Sequence, residues 1–343
     1  MSLLATTLRR TGRRFVSSLP ALFGVLVFTF MLMRVLPGDP AVFFASGANS
    51  GKEEIEMVRK QMGLDKPLPE QLFLYLKDVG TGELGRSLTT GQPVVADIRQ
   101  RLPASLELTF TALLIALVGA VPLGILAALR AGSFVDHAVR MFCVIGVCVP
   151  TFVSGLLLVY VFYYLWGIAP DPTGRLDVFA GSAPNVTGFL LIDFLLAGDL
   201  PGWWAAARQL LLPALTMALF VLAPIARITR ASMLTALGSD FVRTARSVGL
   251  PSWRIVVTYA LRNAVLPVLT ILGIVFSTML GANVLVEKVF SWPGVASYAL
   301  DALLASDYAP VQGFVLLMAS IFVLVNLIVD LLYSISDPRI SIE

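Results

Sequence analysis

Six stretches of the chain are near-continuous apolar runs with the width of a membrane span. They cover residues 15–36, 103–129, 141–167, 210–228, 264–286 and 311–333. A bilayer core about 30 Å thick takes roughly 20 residues of helix to cross. None of the runs shows the ten-residue alternation of a membrane β-barrel. The pattern therefore predicts an all-α integral membrane protein with six transmembrane helices. The fourth run is the shortest and contains Pro213 and Pro224. The chain divides into an N-terminus with the first span (1–36), a segment on the far side of the membrane (37–102), and a five-helix core (103–343). The core includes a long loop over 227–263.

Three far-side segments have structure of their own. In 37–102, residues 52–62 are charged and helix-like, and Gly63, Pro67, Pro69, Gly80, Gly82, Gly85 and Pro93 punctuate the rest. In 168–209, the apolar stretch 188–198 is too short to span, so it is expected to lie at the interface or turn back on itself. In 287–310, Trp292-Pro293-Gly294 precedes a helical stretch to Ser306. No internal repeat is visible, which counts against inverted-repeat carriers.

Charge sets the orientation. The N-terminus, 130–140, 227–263 and the tail after Ser334 carry 13 Lys+Arg against 4 Asp+Glu. The opposite side carries 11 Lys+Arg and 16 Asp+Glu. The positive-inside rule places the first group, and both termini, in the cytoplasm. Arg9, Arg10, Arg13 and Arg14 before the first span resemble the basic region of a signal peptide. The apolar run is too long for one, so a retained signal anchor is expected.

Composition narrows the function. Hydrophobic residues make up 57% of 343 and charged residues 14%, with mean hydropathy +0.84. A soluble domain carries roughly 25% charged residues. Disorder, collagen, a disulfide scaffold and nucleic-acid binding are excluded. Cys143 and Cys148 have neither a metal nor a redox spacing and read as small hydrophobes. The one histidine, His137, lies in a loop, and nothing marks it as a base. There is no zinc-helix motif and no nucleophile elbow. Gly47-Ala48-Asn49-Ser50-Gly51-Lys52-Glu53 falls one residue short of a phosphate-binding loop and has Glu53 where Ser or Thr must meet magnesium. No catalytic, cofactor or metal site is expected in this chain.

Charges at bilayer depth are functional candidates by default. Arg34 and Asp330 lie near span ends, where a side chain can snorkel or find a partner. Glu107, one turn inside the second span, either lines an aqueous path or makes a structural pair.

The 227–263 loop is the most informative segment and holds six arginines. Within it, residues 239–251 predict a short, bounded helix. Ser239 or Asp240 can cap the first turn, Gly249 supplies a left-handed end, and Pro251 forbids continuation. Phe241, Ala245 and Val248 recur at i, i+4 and i+7 as an apolar stripe, with Arg243 and Arg246 elsewhere on the cylinder. Such a helix suits insertion into a partner's groove. The alternative is an amphipathic helix resting on anionic lipid.

Asp240-Phe241-Val242-Arg243-Thr244-Ala245-Arg246, followed by Gly249, resembles the cytoplasmic-loop signature of ABC importer permeases. In the peptide branch, Arg-Thr-Ala-x-x-x-Gly replaces the general Glu-Ala-Ala-x-x-x-Gly. Arg262 stands where the general pattern has a proline, and Pro267 comes later, as in that branch. Leu36-Pro37-Gly38-Asp39-Pro40, Gly63-Leu64-Asp65-Lys66-Pro67 and Gly82-Glu83-Leu84-Gly85 are similar to the family. So are Pro103-Ala104-Ser105-Leu106-Glu107-Leu108, Phe290-Ser291-Trp292-Pro293-Gly294 and Asp337-Pro338-Arg339-Ile340. Thr187-Gly188-Phe189-Leu190-Leu191-Ile192-Asp193 resembles the dipeptide-type first permease subunit. The match at 103–108 makes Glu107 look more like a family structural feature than a pathway residue.

The resemblance implies a type I ABC importer permease fold in a bacterial cytoplasmic membrane, moving dipeptides or short peptides. It implies a second homologous permease, two cytoplasmic ATPases that bind the ATP and magnesium, and a periplasmic solute-binding protein. Asp240, Phe241, Arg243, Thr244, Ala245, Arg246 and Gly249 would then belong to the coupling helix that meets an ATPase. Longer oligopeptides, glutathione-like peptides and nickel chelates are the alternative cargoes. A stand-alone channel or secondary carrier is the competing class.

Overall fold

The computed structural model describes residues 3–35, 41, 51–61, 63–176 and 185–336. The motifs at 36–40 and 337–340, and the side chain of Asp330, lie outside the described residues. Among those described, helix is the regular secondary structure, with one isolated bridge, Arg86 to Pro93, in the connecting turns and loops. Five helices are long and apolar enough to cross a membrane, and a sharply bent pair makes a sixth candidate. The twelve described helices are numbered in chain order. Two compact units divide the chain: Met1–Ser105 with Pro293–Leu324, and Leu106–Trp292 with Val325–Glu343.

The first unit contains α1 (Leu3–Val35), α2 (Lys52–Gln61), α3 (Leu68–Thr81), the start of α4 (Val94–Leu129), α11 (Val295–Leu304) and most of α12 (Tyr308–Ser336). Gly82 ends α3 at φ 84, the left-handed conformation glycine adopts without strain. Two buried carboxylates organise the loop before α4. Asp307 accepts hydrogen bonds from Ser87 Oγ and from the Leu88 and Thr89 backbone N–H groups, at 2.7–3.1 Å. Asp97 accepts from Thr90 Oγ1 at 2.6 Å and from the Tyr298 hydroxyl at 2.7 Å. Burial and this bond to Asp97 push the Tyr298 phenol above its ordinary range. Arg34 has found a partner: Nε donates to Gln71 Oε1 at 3.0 Å, and the guanidinium lies 4.6 Å from the Phe30 ring centroid.

In the second unit, α5 (Phe134–Cys148) and α6 (Thr151–Leu165) meet at 102°. The third apolar run is therefore sharply bent, not the straight span its length suggests. Val149 is extended (φ −85, ψ 122) because the ring of Pro150 disfavours helical backbone in the residue before it. The short apolar stretch forms α7 (Leu190–Ala197). Next comes α8 (Leu200–Leu237), which runs through Pro213 and Pro224 without stopping. In α8's most apolar window 67% of residues are buried, so the shortest run in the sequence is the centre of this unit. α5, α6, α7 and α10 (Ser252–Val289) all pack on it, and α9 (Asp240–Ser247) lies between α8 and α10. The crossing of α4 on α8 is close at Gly124, where a Cβ would stand 2.7 Å from the Ala226 carbonyl oxygen. Across the same unit, Asn283 Nδ2 donates to Thr109 Oγ1 at 2.8 Å, both buried.

Candidate functional site

The α9 helix is held as a fixed projection from the loop between α8 and α10. Ser239 occupies the N-cap with extended backbone (φ −77, ψ 157). Its hydroxyl donates back to the Ala236 carbonyl at 2.5 Å, so it does not cap the first turn as expected. Asp240 has the favourable charge for a helix N-terminus and pairs with Arg243 at 3.2 Å. That pair is almost fully exposed and adds little stability. The far end closes as a Schellman turn. Gly249 N–H donates to the Arg246 carbonyl at 3.0 Å and Leu250 N–H to the Ala245 carbonyl at 3.2 Å, with Gly249 at φ 76. Pro251 then heads α10.

The buried face of α9 corrects the sequence reading. Val242 and Ala245 face inward and pack with Leu250 and Ile255. Phe241 is 40% exposed and Val248 69%, so of the stripe at i, i+4 and i+7 only Ala245 is buried. Val242 is fully buried against the start of α10, which fixes the helix's rotation. Phe241, Arg243, Thr244, Arg246 and Val248 therefore face away from the chain's own core, joined by Trp253, 67% exposed. Trp253 was missed because it stands beyond the predicted helix. A tryptophan beside an arginine-rich turn was the available signal. Phe241 also edges a cleft of about 350 Å3 that reaches Ser232, Thr235 and Asn263.

A second group fixes the base of α8. Asp136, 1% exposed, accepts a two-pronged pair from Arg230, Nε at 2.6 Å and a terminal nitrogen at 2.7 Å. Gly132 N–H adds a bond at 3.0 Å, and Arg140 approaches to 3.5 Å. The hydrogen bonds from Arg230 and Gly132 outweigh the cost of burial and hold this carboxyl well below the usual range. The first turn of α5 is thereby tied to α8 at Arg230, ten residues ahead of the start of α9. In the sequence, Asp136 is only one of the four acidic residues counted on this side. His137 beside it bonds the Ser133 carbonyl at 2.8 Å.

Glu107 does not stand free. Its carboxylate is 5% exposed and accepts from Arg175 and from the Leu191 N–H at 2.8 Å. Arg175 also donates to the Gly188 carbonyl at 2.9 Å. Asp193, fully buried, accepts from the N–H groups of Val186, Thr187 and Gly188. These bonds fold the segment before α7, and they give Glu107 a structural pairing instead of an open face on a pathway. Among the described residues no cluster of three or more His, Cys, Asp or Glu could hold a metal.

The helical, membrane-spanning fold agrees with comparisons to known proteins. Residues 120–342 match the family model of binding-protein-dependent transport system inner membrane components, and residues 7–109 match the N-terminal model of such components. The chain is 44% identical over 318 residues to the probable D,D-dipeptide transport system permease protein of Escherichia coli, covering 93% of each chain. It is 41% identical over 329 residues to the di/tripeptide transport system permease protein of Pseudomonas aeruginosa, covering 96% of this chain and 97% of that one. It is 38% identical over 330 residues to the dipeptide transport system permease protein of Escherichia coli, with the same coverage. On this evidence the chain belongs to the family of binding-protein-dependent transport system inner membrane components.

Proposed function

We propose that this chain is the non-catalytic permease subunit of an ATP-driven importer of dipeptides or similar short peptides in a bacterial inner membrane, with both termini in the cytoplasm. It would pair with a second, homologous permease and two cytoplasmic ATPases that bind ATP and magnesium, and would receive cargo from a periplasmic binding protein. The observation that carries the reading is α9. It is a short helix locked by Val242 and Ala245 against its own chain, presenting Phe241, Arg243, Arg246 and Val248 outward. In the proposed mechanism this outward face seats in a groove of one ATPase. Closure of the ATPase pair would move α9 as a rigid body. The chain on either side of it, α8 and α10, would move with it and change access to the pathway. Asp136–Arg230 would keep the base of α8 stiff during that motion.

The test is mild-detergent purification of the tagged chain from its host, with identification of accompanying chains and ATP-dependent uptake of a labelled dipeptide in vesicles. A second permease and ATPase chains, with uptake that needs ATP, are expected. This chain alone, conducting without ATP, would replace the reading with a channel or secondary carrier.

A further inference from the structure

A cavity of about 540 Å3 opens between α5, α8 and α10. Its walls are apolar, built from Val144, Val147, Phe220, Ile271, Ile274 and Val275. Its charged groups are three arginines gathered at one end: Arg140 on α5, and Arg227 and Arg230 on α8. The antiparallel course of α5 and α8 brings these together. The eight residue steps from Arg140 to Cys148 span about 12 Å of helix, so the apolar part runs that far from the cationic end. No Asp or Glu is among the lining residues. Asp136 neutralises one of the three charges, chiefly Arg230 at 2.6 Å and more weakly Arg140 at 3.5 Å. Arg227 is exposed.

We propose that this cavity holds one anionic phospholipid of the cytoplasmic leaflet, its phosphate against Arg227 and Arg140 and an acyl chain along the apolar walls. The proposal rests on the orientation given above, which puts the arginine end at the cytoplasmic surface. Basic pockets between transmembrane helices on that side suit anionic headgroups. A zwitterionic peptide fits less well, because its ammonium would have no carboxylate to meet. A free phosphate would leave the apolar walls without an occupant.

The test uses the assembled transporter in vesicles of equal parts phosphatidylcholine and phosphatidylglycerol. Bulk lipid is stripped and retained lipid is counted by native mass spectrometry. Phosphatidylglycerol is expected to be retained in clear preference. Arg140→Gln with Arg227→Gln should cut that preference by roughly 25-fold, about fivefold per arginine. Equal retention by the wild-type and double-variant complexes would overturn the proposal. If the double variant does not assemble, the wild-type preference decides, and its absence overturns the proposal as surely. Arg140→Lys with Arg227→Lys should keep that preference.

Cys143 and Cys148 line the cavity and are the chain's two cysteines, so they report on its contents. With lipid seated they should resist a charged methanethiosulfonate. Rapid modification would show a water-filled route, and crosslinking of Cys148 to the second permease would show a protein-covered face; either result overturns the lipid. ATP-dependent uptake is measured on the same preparation. Uptake without lipid preference would end this proposal and leave the importer reading standing.

Discussion

Gly249 offers a way to separate backbone conformation from surface contact at the α9 turn. Its φ of 76 lies in the left-handed region, and no heavy atom comes within 4 Å of where a Cβ would stand. A side chain there meets open space, so the local cost is conformational, about 1–2 kcal/mol. Against it stand the two turn hydrogen bonds and the burial of Val242, Ala245 and Ile255. Burying one valine side chain contributes about 1.5–3 kcal/mol. The helix should therefore persist when Gly249 becomes alanine. If all the strain fell on the docking-competent form, the loss would be about 5–30-fold. Gly249→Arg carries the same backbone cost but adds a long cation beside Arg246 on the outward face. Membrane insertion is expected for both variants. ATP-dependent dipeptide uptake, together with the amount of ATPase that copurifies, should fall partly for alanine and be abolished for arginine. Full uptake by an assembled Gly249→Arg complex would refute the argument that this face docks. Equal defects in the two variants would show that backbone conformation, not contact, is what matters.

Asp136→Asn should lower the thermal stability of the purified chain, because it leaves the Arg230 guanidinium part-buried beside a neutral amide; breaking such a pair costs about 3–5 kcal/mol, with the lower end expected for a partly exposed partner. Its carboxyl is depressed in the folded state, so its contribution is present above the unfolded value near 3.9 and is lost as pH falls below it. The melting difference between wild type and Asp136→Asn should therefore hold from neutral pH to about 5 and narrow below about 4. Glu107→Gln should leave the part-buried Arg175 without its counter-charge, lowering stability by a few kcal/mol; unchanged melting and uptake would argue against the pairing as a structural element. Gly124→Leu should force α4 from α8 at the Ala226 carbonyl and Thr229, costing about 1–3 kcal/mol, read as a lower melting temperature in detergent.

The run of six hydrophobic segments and the bounded helix at 240–249 could be read along the chain because both depend on local composition. A bilayer demands apolar length, and a cap, a left-handed glycine and a proline delimit a helix wherever they stand. The same local rules missed the break at Val149-Pro150, since apolar length was counted across a proline that turns the chain by 102°. They also made the fourth run, the core of α8, the shortest of the six, with Pro213 and Pro224 inside it. Packing on several sides holds it helical through both.

The sequence by itself determined that this is a six-segment membrane protein of this family and where its projecting helix begins and ends. Tertiary structure decided which side of that helix is free. In a helix of eight residues with its C-cap, Phe241, Val242, Ala245 and Val248 offer competing apolar faces, and only the position of Leu250 and Ile255 selects Val242 and Ala245 for burial. It also decided the fate of the buried charges. Asp136 with Arg230 is 94 residues apart in sequence, and Glu107 with Arg175 is 68. No periodicity links such positions; they pair because a carboxylate without water needs a cation, and the fold brings one within reach.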